Sequence, residues 1–434
     1  MHHRALHIFR RDLRLADNTA LRRALASSHE VVTAFIVDDV QVAAHPHRSV
    51  NGLAFMIESL EELNDALVAR GGRLLLLQGS PAAVVDSVIA TLGIDAVFFN
   101  RDYTPFSLHR DAAIADVCAR AGVPCLTSDD ALLVDPQTFA KDDGRPYTVF
   151  TPFYRKASQR EVRTPTGEPV GRCSPADDYH GPLADLRSFW PDATAPSRVS
   201  RGGRSRALAI LKTIRTFADY ERHRDLPAER GTTHLAPHHK FGTISIRETY
   251  HAVASTFSAG HTLVRELYWR DFFTHIAWHF PHVFSGAFHR EYDHMAWVDR
   301  PDHFAAWCEG RTGFPLVDAG MRELVATGFM HNRVRMVVAS FLVKDLHIDW
   351  RKGEAFFARH LTDYDPAVNN GNWQWAASTG CDAQPYFRVF NPWLQQQRYD
   401  PDCRYIRRWV PELGELTPRE VHALHTPSLT RLEI

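Results

Sequence analysis

Three short stretches of this 434-residue chain gather side chains that can grip and polarise a ligand. The densest runs Asp363-Tyr-Asp365-Pro-Ala-Val-Asn369-Asn-Gly-Asn-Trp373-Gln-Trp375, placing two carboxylates, three asparagines and two indoles in thirteen residues. Asp and Asn are poor helix formers and are costly to bury unless hydrogen-bonded, whereas an indole wants a largely buried face and a partner for its N–H. The mixture suits a flat, polar heteroaromatic ligand. Read alone, it also suits a helix N-terminus capped by Asn370 or Asn372, with Trp373 and Trp375 in a core. Two further stretches mix charge, amide and aromatic groups at helical spacing: Glu266-Leu-Tyr-Trp269-Arg270-Asp and Met330-His-Asn332-Arg333-Val-Arg335-Met336. Glu266, Trp269 and Arg270 stand at i, i+3 and i+4, so one helix face would carry all three. Asn332, Arg335 and Met336 would share another, with Arg333 rotated away.

The elements that must position these groups follow from the rest of the chain. A chain this long exceeds one ordinary core and predicts two or three domains. Hydrophobic residues at 44% and charged ones at 23% indicate a soluble globular protein. No apolar run reaches the ~20 residues of a membrane helix, and the first residues turn to charge too early for a secretory signal. Six cysteines without a Cys-x-x-Cys pair argue against a disulfide framework or zinc site and for a cytoplasmic setting. Residues 1–200 hold 21 Lys+Arg against 25 Asp+Glu, and residues 201–434 hold 29 against 26, a weak basic bias toward the C-terminal part. DNA binding would require those arginines on one face.

Apolar runs at 5–9, 31–37, 73–77 and 95–99 are followed by helix-like segments at Ala54 to Ala69, Ala82 to Leu92 and Leu108 to Ala121, a pattern of parallel strands buried on both faces. Residues 1–132 are therefore expected to form a doubly wound α/β domain, without the usual Gly-rich phosphate fingerprints but with room for a ligand at the switch point. Nine prolines between 136 and 196 mark residues 133–204 as a long connection on the surface. From 205 to 434 the apolar period is helical, as in Ala207, Leu208, Leu211, Ile214, Phe217 and Ala218, and a helical domain is expected.

These stretches, with Arg10-Arg-Asp-Leu-Arg-Leu-Ala-Asp-Asn18 and Ala376-Ala-Ser-Thr-Gly-Cys-Asp-Ala-Gln-Pro-Tyr-Phe-Arg-Val-Phe-Asn-Pro392, resemble the DNA photolyase and cryptochrome family from about residue 4 to Leu413. Met-His-Asn-Arg-x-Arg-Met is similar to the class I cyclobutane pyrimidine dimer photolyases. The resemblance implies an α/β antenna domain, a linker and a helical FAD-binding domain, and light-driven repair in which excited, reduced FAD passes an electron to a dimer flipped out of UV-damaged DNA. Flipping is the general solution for enzymes whose target atoms are hidden in the base stack, photolyases among them, and it is carried over here with the family. Cryptochrome-type blue-light sensing and (6-4) repair are the alternatives. The short chain end after Leu413, Asn369 and the Asn332/Met336 pair speak for dimer repair.

The resemblance implies that Tyr220 and the loop Thr232, Thr233, His234, Leu235 and Ala236 hold the FAD diphosphate, with Arg270 near its phosphates. Ala236 replaces a serine and His239 a leucine common in the family. Arg335, Asp363, Asp365 and Asn369 would contact the flavin, Asn369 beside N5, while Asn372 replaces a usual glycine. Glu266, Asn332 and Met336 would act on the lesion, Glu266 as a partly desolvated carboxyl of raised pKa. Trp269 and Trp375 would wall the lesion pocket, and Arg224, Arg333 and Gln395 would face the DNA backbone. Trp373, Trp350 and Trp297 would relay electrons from the surface to the flavin. An antenna chromophore is expected, whether a deazaflavin, FMN or methenyltetrahydrofolate. Phe106-Ser107 stands in place of the Asn-Glu pair of folate-binding relatives, and Gly52 stands where many have arginine, which implies a roomier antenna pocket. A monomer without membrane contact is expected.

Overall fold

The structure is a computed structural model that describes residues 1–43, 45–189, 194–383, 385 and 388–424. Gln384, Tyr386 and Phe387 of the family-like stretch after Ala376 lie outside the described residues.

The first half is built on five parallel strands, β1 (His2–Phe9), β2 (Ser28–Val37), β3 (Leu74–Gln78), β4 (Ala96–Asn100) and β5 (Cys125–Ser128), in the order β3-β2-β1-β4-β5. Helices on both faces bury two apolar layers, one around Phe9, Phe35, Phe55 and Phe98, the other around Ile8, Val32, Leu75 and Phe99. This is the doubly wound arrangement expected of near-continuous apolar strands. Strand β5 escaped the sequence reading. It has four residues, all half-buried at the sheet edge, so it shows no apolar run. The strand order reverses between β1 and β4. There, Asn100 Nδ2 donates to Asp12 Oδ2 (2.6 Å) and Asn18 Oδ1 (2.8 Å), which ties the Arg10–Asn18 turn to the end of β4.

The second half is helical, with its main core around Trp307, Leu316, Leu342, Phe357 and Trp373. The connection between the halves corrects one expectation. Its opening part is not a surface wrap: Val134, Phe139, Tyr147, Phe150 and Phe153 are buried in the cluster that contains Tyr268, Phe272 and Ile276 of the Thr262–His279 helix. That helix staples the segment down through polar groups. Asp271 Oδ2 accepts from the amides of Leu133 (2.7 Å) and Val134 (3.0 Å), His275 Nε2 from that of Tyr147 (3.1 Å), and Arg270 Nη1 donates to Ala131 O (2.6 Å). Prolines hid this, because Phe150–Ala157 is a helix of only eight residues.

The halves meet along a dense polar seam. Arg247, on the Ile246–Thr256 helix, donates from Nε to Asp17 Oδ2 (2.8 Å) and from Nη2 to Asp130 Oδ1 (2.7 Å), and Arg14 pairs with the same Asp130. Gly242 closes the adjoining Ala236–Phe241 helix in the left-handed region, at φ 64°, and a Cβ there would stand 2.1 Å from the Arg11 carbonyl oxygen. Left-handed strain of ~1–2 kcal/mol and backbone overpacking of ~1–3 kcal/mol add at this position. Gly242→Ala is expected to lower stability by roughly 2–5 kcal/mol, read as a fall in the thermal midpoint. An unchanged midpoint would mean that the seam yields.

Candidate active site

The Pro366–Ala377 helix forms the floor of the site. Its N-cap is Asp365, whose Oδ1 accepts from the amides of Ala367 and Val368, each at 3.1 Å. This replaces the expected caps at Asn370 or Asn372, because Asp followed by Pro at the first turn is the stronger start signal. The other Asp365 oxygen pairs with Arg11 from the α/β half. Burial alone would raise this carboxyl, but the guanidinium groups of Arg11 and Arg270 hold it down to about 2.

One turn further, Asn369 carries a buried Nδ2 that has no hydrogen-bond partner among the described residues. Glu354 lies nearly buried beside Asn369 and Asn370; burial pushes its carboxyl up to about 7, although the neighbouring Asn370 and Asn369 amides favour its charged form. The sequence reading missed it, although it stands one helical turn after Trp350. An unmet buried amide costs about 1–3 kcal/mol, so Asn369 calls for an acceptor. Asn370 is committed elsewhere, donating to Val283 O at 3.0 Å. Asn372, the departure from the family glycine, is exposed and bonds back to Val368 O at 2.8 Å.

Arg335 forms one side wall. Its Nη2 lies 3.0 and 3.2 Å from the two oxygens of Asp363, and its Nε donates to Met330 O at 2.7 Å. Next to it runs the loop through Thr232, Thr233 and His234, which are half-buried, and buried Leu235. His234 has φ 56°, unusual for a residue with a Cβ, and its ring lies 4.4 Å from that of Phe329. Ala236 is exposed and opens a helix of only six residues with Pro237 in its first turn, so few free amides point from that end. His239 is accommodated: its Nε2 meets Thr249 Oγ1 at 2.8 Å, and burial lowers its pKa to about 3. Arg270 commits one arm to Ala131 O, so the seam takes part of what was assigned to phosphates. Tyr220 is buried, with the Arg224 guanidinium 5.3 Å from its ring centre.

The rim holds the groups expected at a lesion. Asn332 is exposed at the start of the Asn332–Ser340 helix, and Met336 is half-buried one turn later. Glu266 departs from expectation. Its side chain is 33% exposed, and Oε1 pairs with Arg224 Nη1 at 2.8 Å, a partner the sequence reading did not give it. Arg333 pairs with Asp225 (Nη2–Oδ1, 2.9 Å) and lies 4.5 Å over the Tyr399 ring. Trp269 is packed among aromatic rings: Phe150 covers one face, with centroids 3.5 Å apart and planes 6° from parallel, Phe273 stacks at 5.7 Å and Phe272 meets it edge-on at 5.8 Å. Trp375 stacks loosely on Phe390 at 6.3 Å, and Gln395 keeps a buried Oε1 without a partner among the described residues.

Of the three indoles expected to relay electrons, Trp373 and Trp350 are buried and Trp297 is half-buried. The Trp373 ring rests on the Trp350–His360 helix at Gly353, where a Cβ would come within 2.2 Å of it. Trp307, which the sequence reading did not single out, lies edge-on to Trp373 at 6.2 Å. On the α/β side, the space beside Gly52 is filled by the Ser49 side chain, 2.8 Å from where a Cβ would sit, so the expected roominess is not created there.

Two protein-family models match, DNA photolyase over residues 5–170 and the FAD binding domain of DNA photolyase over residues 263–433. The deoxyribodipyrimidine photo-lyase of Halobacterium salinarum is 39% identical over 97% of this chain and 92% of its own length. The chain belongs to the DNA photolyase family. The photolyase of the same name from Escherichia coli is 36% identical over 95% of this chain and 90% of its own. Among solved structures, the archaeal photolyase from Sulfolobus tokodaii, which holds two FAD molecules, matches at 44% identity with a TM-score of 0.89, covering 97% and 93% of the two chains. The photolyase-family residues present here fit a flavin. The buried Asn369 amide is a donor that a ring nitrogen or carbonyl can satisfy, and the Arg335–Asp363 pair offers a further donor and acceptor.

Proposed function

We propose that the protein repairs cyclobutane pyrimidine dimers in UV-damaged DNA in a light-dependent reaction, acting as a deoxyribodipyrimidine photo-lyase. The relatives that carry this name align with nearly the whole chain at 35–39% identity. The structural observation that carries the reading is the unmet Asn369 amide, on the same cradle whose Arg335 braces the Met330 turn leading to Asn332 and Met336.

Bound FAD supplies the light-absorbing, electron-donating ring that amino-acid side chains lack. The chain's own residues do the rest. In this reading Tyr220 and the Thr232–Ala236 loop hold the diphosphate end, while Arg335, Asp363, Asp365 and Asn369 fix the ring. Asn332 and Met336 contact the dimer from one helix face, and Trp269 with Trp375 bounds the space into which it is flipped. Glu266, held by Arg224, presents its carboxylate at that opening for a hydrogen bond from a pyrimidine N–H. Trp373, Trp350 and Trp297 provide the route by which an oxidised cofactor is recharged. A second, light-collecting chromophore belongs to the same reading, and the absorption spectrum of purified protein distinguishes a deazaflavin, a second flavin and methenyltetrahydrofolate.

The test is illumination of FAD-loaded protein with a dimer-containing oligonucleotide. Dimers are expected to disappear in light and persist in darkness. Persistence in light, with the flavin still changing redox state, would favour a cryptochrome-type photosensor.

A further inference from the structure

The two arginines expected to face DNA are both neutralised within the protein, Arg224 by Glu266 and Arg333 by Asp225. Unpaired cations lie next to them. A concavity of about 510 Å³ is lined by Ala228, Glu229, Arg230, Arg404 and Arg408. All three guanidinium side chains belong to exposed residues, and none forms an ion pair with a described residue. The one carboxylate in the lining, Glu229, stands 3.5 Å from His223 Nδ1.

Arg404 and Arg408 sit one turn apart on the Arg404–Trp409 helix, a spacing at which like charges repel. Their helix is nonetheless held rigidly. Asp400 takes the amides of Tyr405 (3.0 Å) and Ile406 (2.9 Å), and the Tyr405 hydroxyl donates to Glu323 Oε2 at 2.7 Å. The same Glu323 oxygen accepts from the His331 amide at 3.3 Å, immediately before Asn332. On the other side, Asp225, which binds Arg333, begins the turn that leads to Arg230. The concavity is thus joined to the lesion rim by two short, braced connections. Three cations gathered around a recess that holds a single lining carboxylate leave an excess of positive charge, complementary to a polyanion that passes the rim.

We propose that this recess grips a backbone phosphate of the DNA strand outside the lesion, with Arg230, Arg404 and Arg408 as its ligands. The inference rests on the proposed repair function. The recess reads no sequence and no damage, because phosphate contacts position a duplex without discriminating bases. It therefore sets non-specific affinity and its salt dependence, while Asn332 and Met336 set preference for the dimer.

The experiment measures binding of undamaged and dimer-containing duplexes across a salt series, for the parent, Arg230→Gln and the Arg404→Gln/Arg408→Gln double variant. Each phosphate contact contributes about 0.9 to the slope of log affinity against log salt. The double variant is expected to lose about one unit of slope, and both duplexes are expected to weaken by the same factor, so that their affinity ratio is unchanged. Glu229→Gln is expected to tighten both. Inorganic phosphate, titrated by calorimetry, separates the sources of the anion: phosphate binding by the parent together with unchanged DNA slopes in the variants assigns the recess to a free anion and overturns the proposal. Unchanged slopes without phosphate binding also overturn it, as does a loss confined to damaged DNA. A parent that binds neither duplex overturns the repair function itself, and is distinguished from failure of this inference by the parent's own binding curve.

Discussion

Replacing Arg247 with alanine is expected to destabilise the protein by about 3–5 kcal/mol, because it leaves two buried carboxylates without their shared cation. The Asp17 side chain is fully buried and that of Asp130 nearly so, while the Arg247 guanidinium is 6% exposed and reaches both. Burial would raise the Asp130 carboxyl, but Arg14 and Arg247 override it and hold the group well below the usual carboxylate range. A folded-state pKa below the unfolded value, near 3.9, means that the stabilisation is present above that pH and is lost as pH falls through the folded value. Urea unfolding followed by circular dichroism at pH 7 should show the loss in Arg247→Ala. The fall in stability on acidification below pH 4 should be shallower in the variant than in the parent. Arg247→Lys should recover only part, since a single ammonium cannot reproduce contacts from Nε, Nη1 and Nη2. A loss below about 1 kcal/mol for Arg247→Ala, typical of a surface pair, would show that the seam is solvated.

Arg335→Ala carries the largest expected effect on the proposed cofactor. The side chain spans Asp363 and the Met330 carbonyl, and the Asp363 carboxylate is only 9% exposed. Losing a hydrogen bond to a charged group costs ~1.5–3 kcal/mol, which corresponds to flavin binding weaker by roughly 10-fold to 150-fold. Quenching of flavin fluorescence by the apoprotein measures this. Because the same guanidinium holds the turn before Asn332, dimer affinity should fall as well, even when FAD is saturating. Flavin affinity within threefold of the parent would remove Arg335 from the cradle.

The sequence made the parallel sheet legible because strands buried on both faces must be apolar throughout, and it made the helical half legible through its 3.6-residue period. Four-residue β5 had too little burial to leave such a mark. The aromatic residues of 139–153 were hidden among prolines, whose local effect on the backbone says nothing of what the intervening side chains pack against. At the site, the Arg335–Asp363 pairing followed from family motifs, and the shared face of Glu266 and Trp269 from spacing. What spacing could not supply was the partner from another element: Arg224 on Glu266, Phe150 on Trp269, Arg11 on Asp365 and Glu354 beside Asn369. Each of these lies at least 15 residues away in sequence from the group beside it, and the first three decide whether that group is an ion-paired carboxylate, a wall or an anchor.

The aromatic residues that the connection lends to the helical half bear on how the molecule responds to a protease. Tyr147, Phe150 and Phe153 are interior to the cluster around Phe272, while the chain beyond Ala157 returns across the sheet, where Ser174 N donates to Val31 O at 2.8 Å and Ala184 N to Leu76 O at 2.6 Å. Cleavage at an exposed point of this strap would sever the backbone and release nothing. Each piece would still be wedged into the other, and the nicked protein would migrate as one particle until a denaturant pulled the rings out.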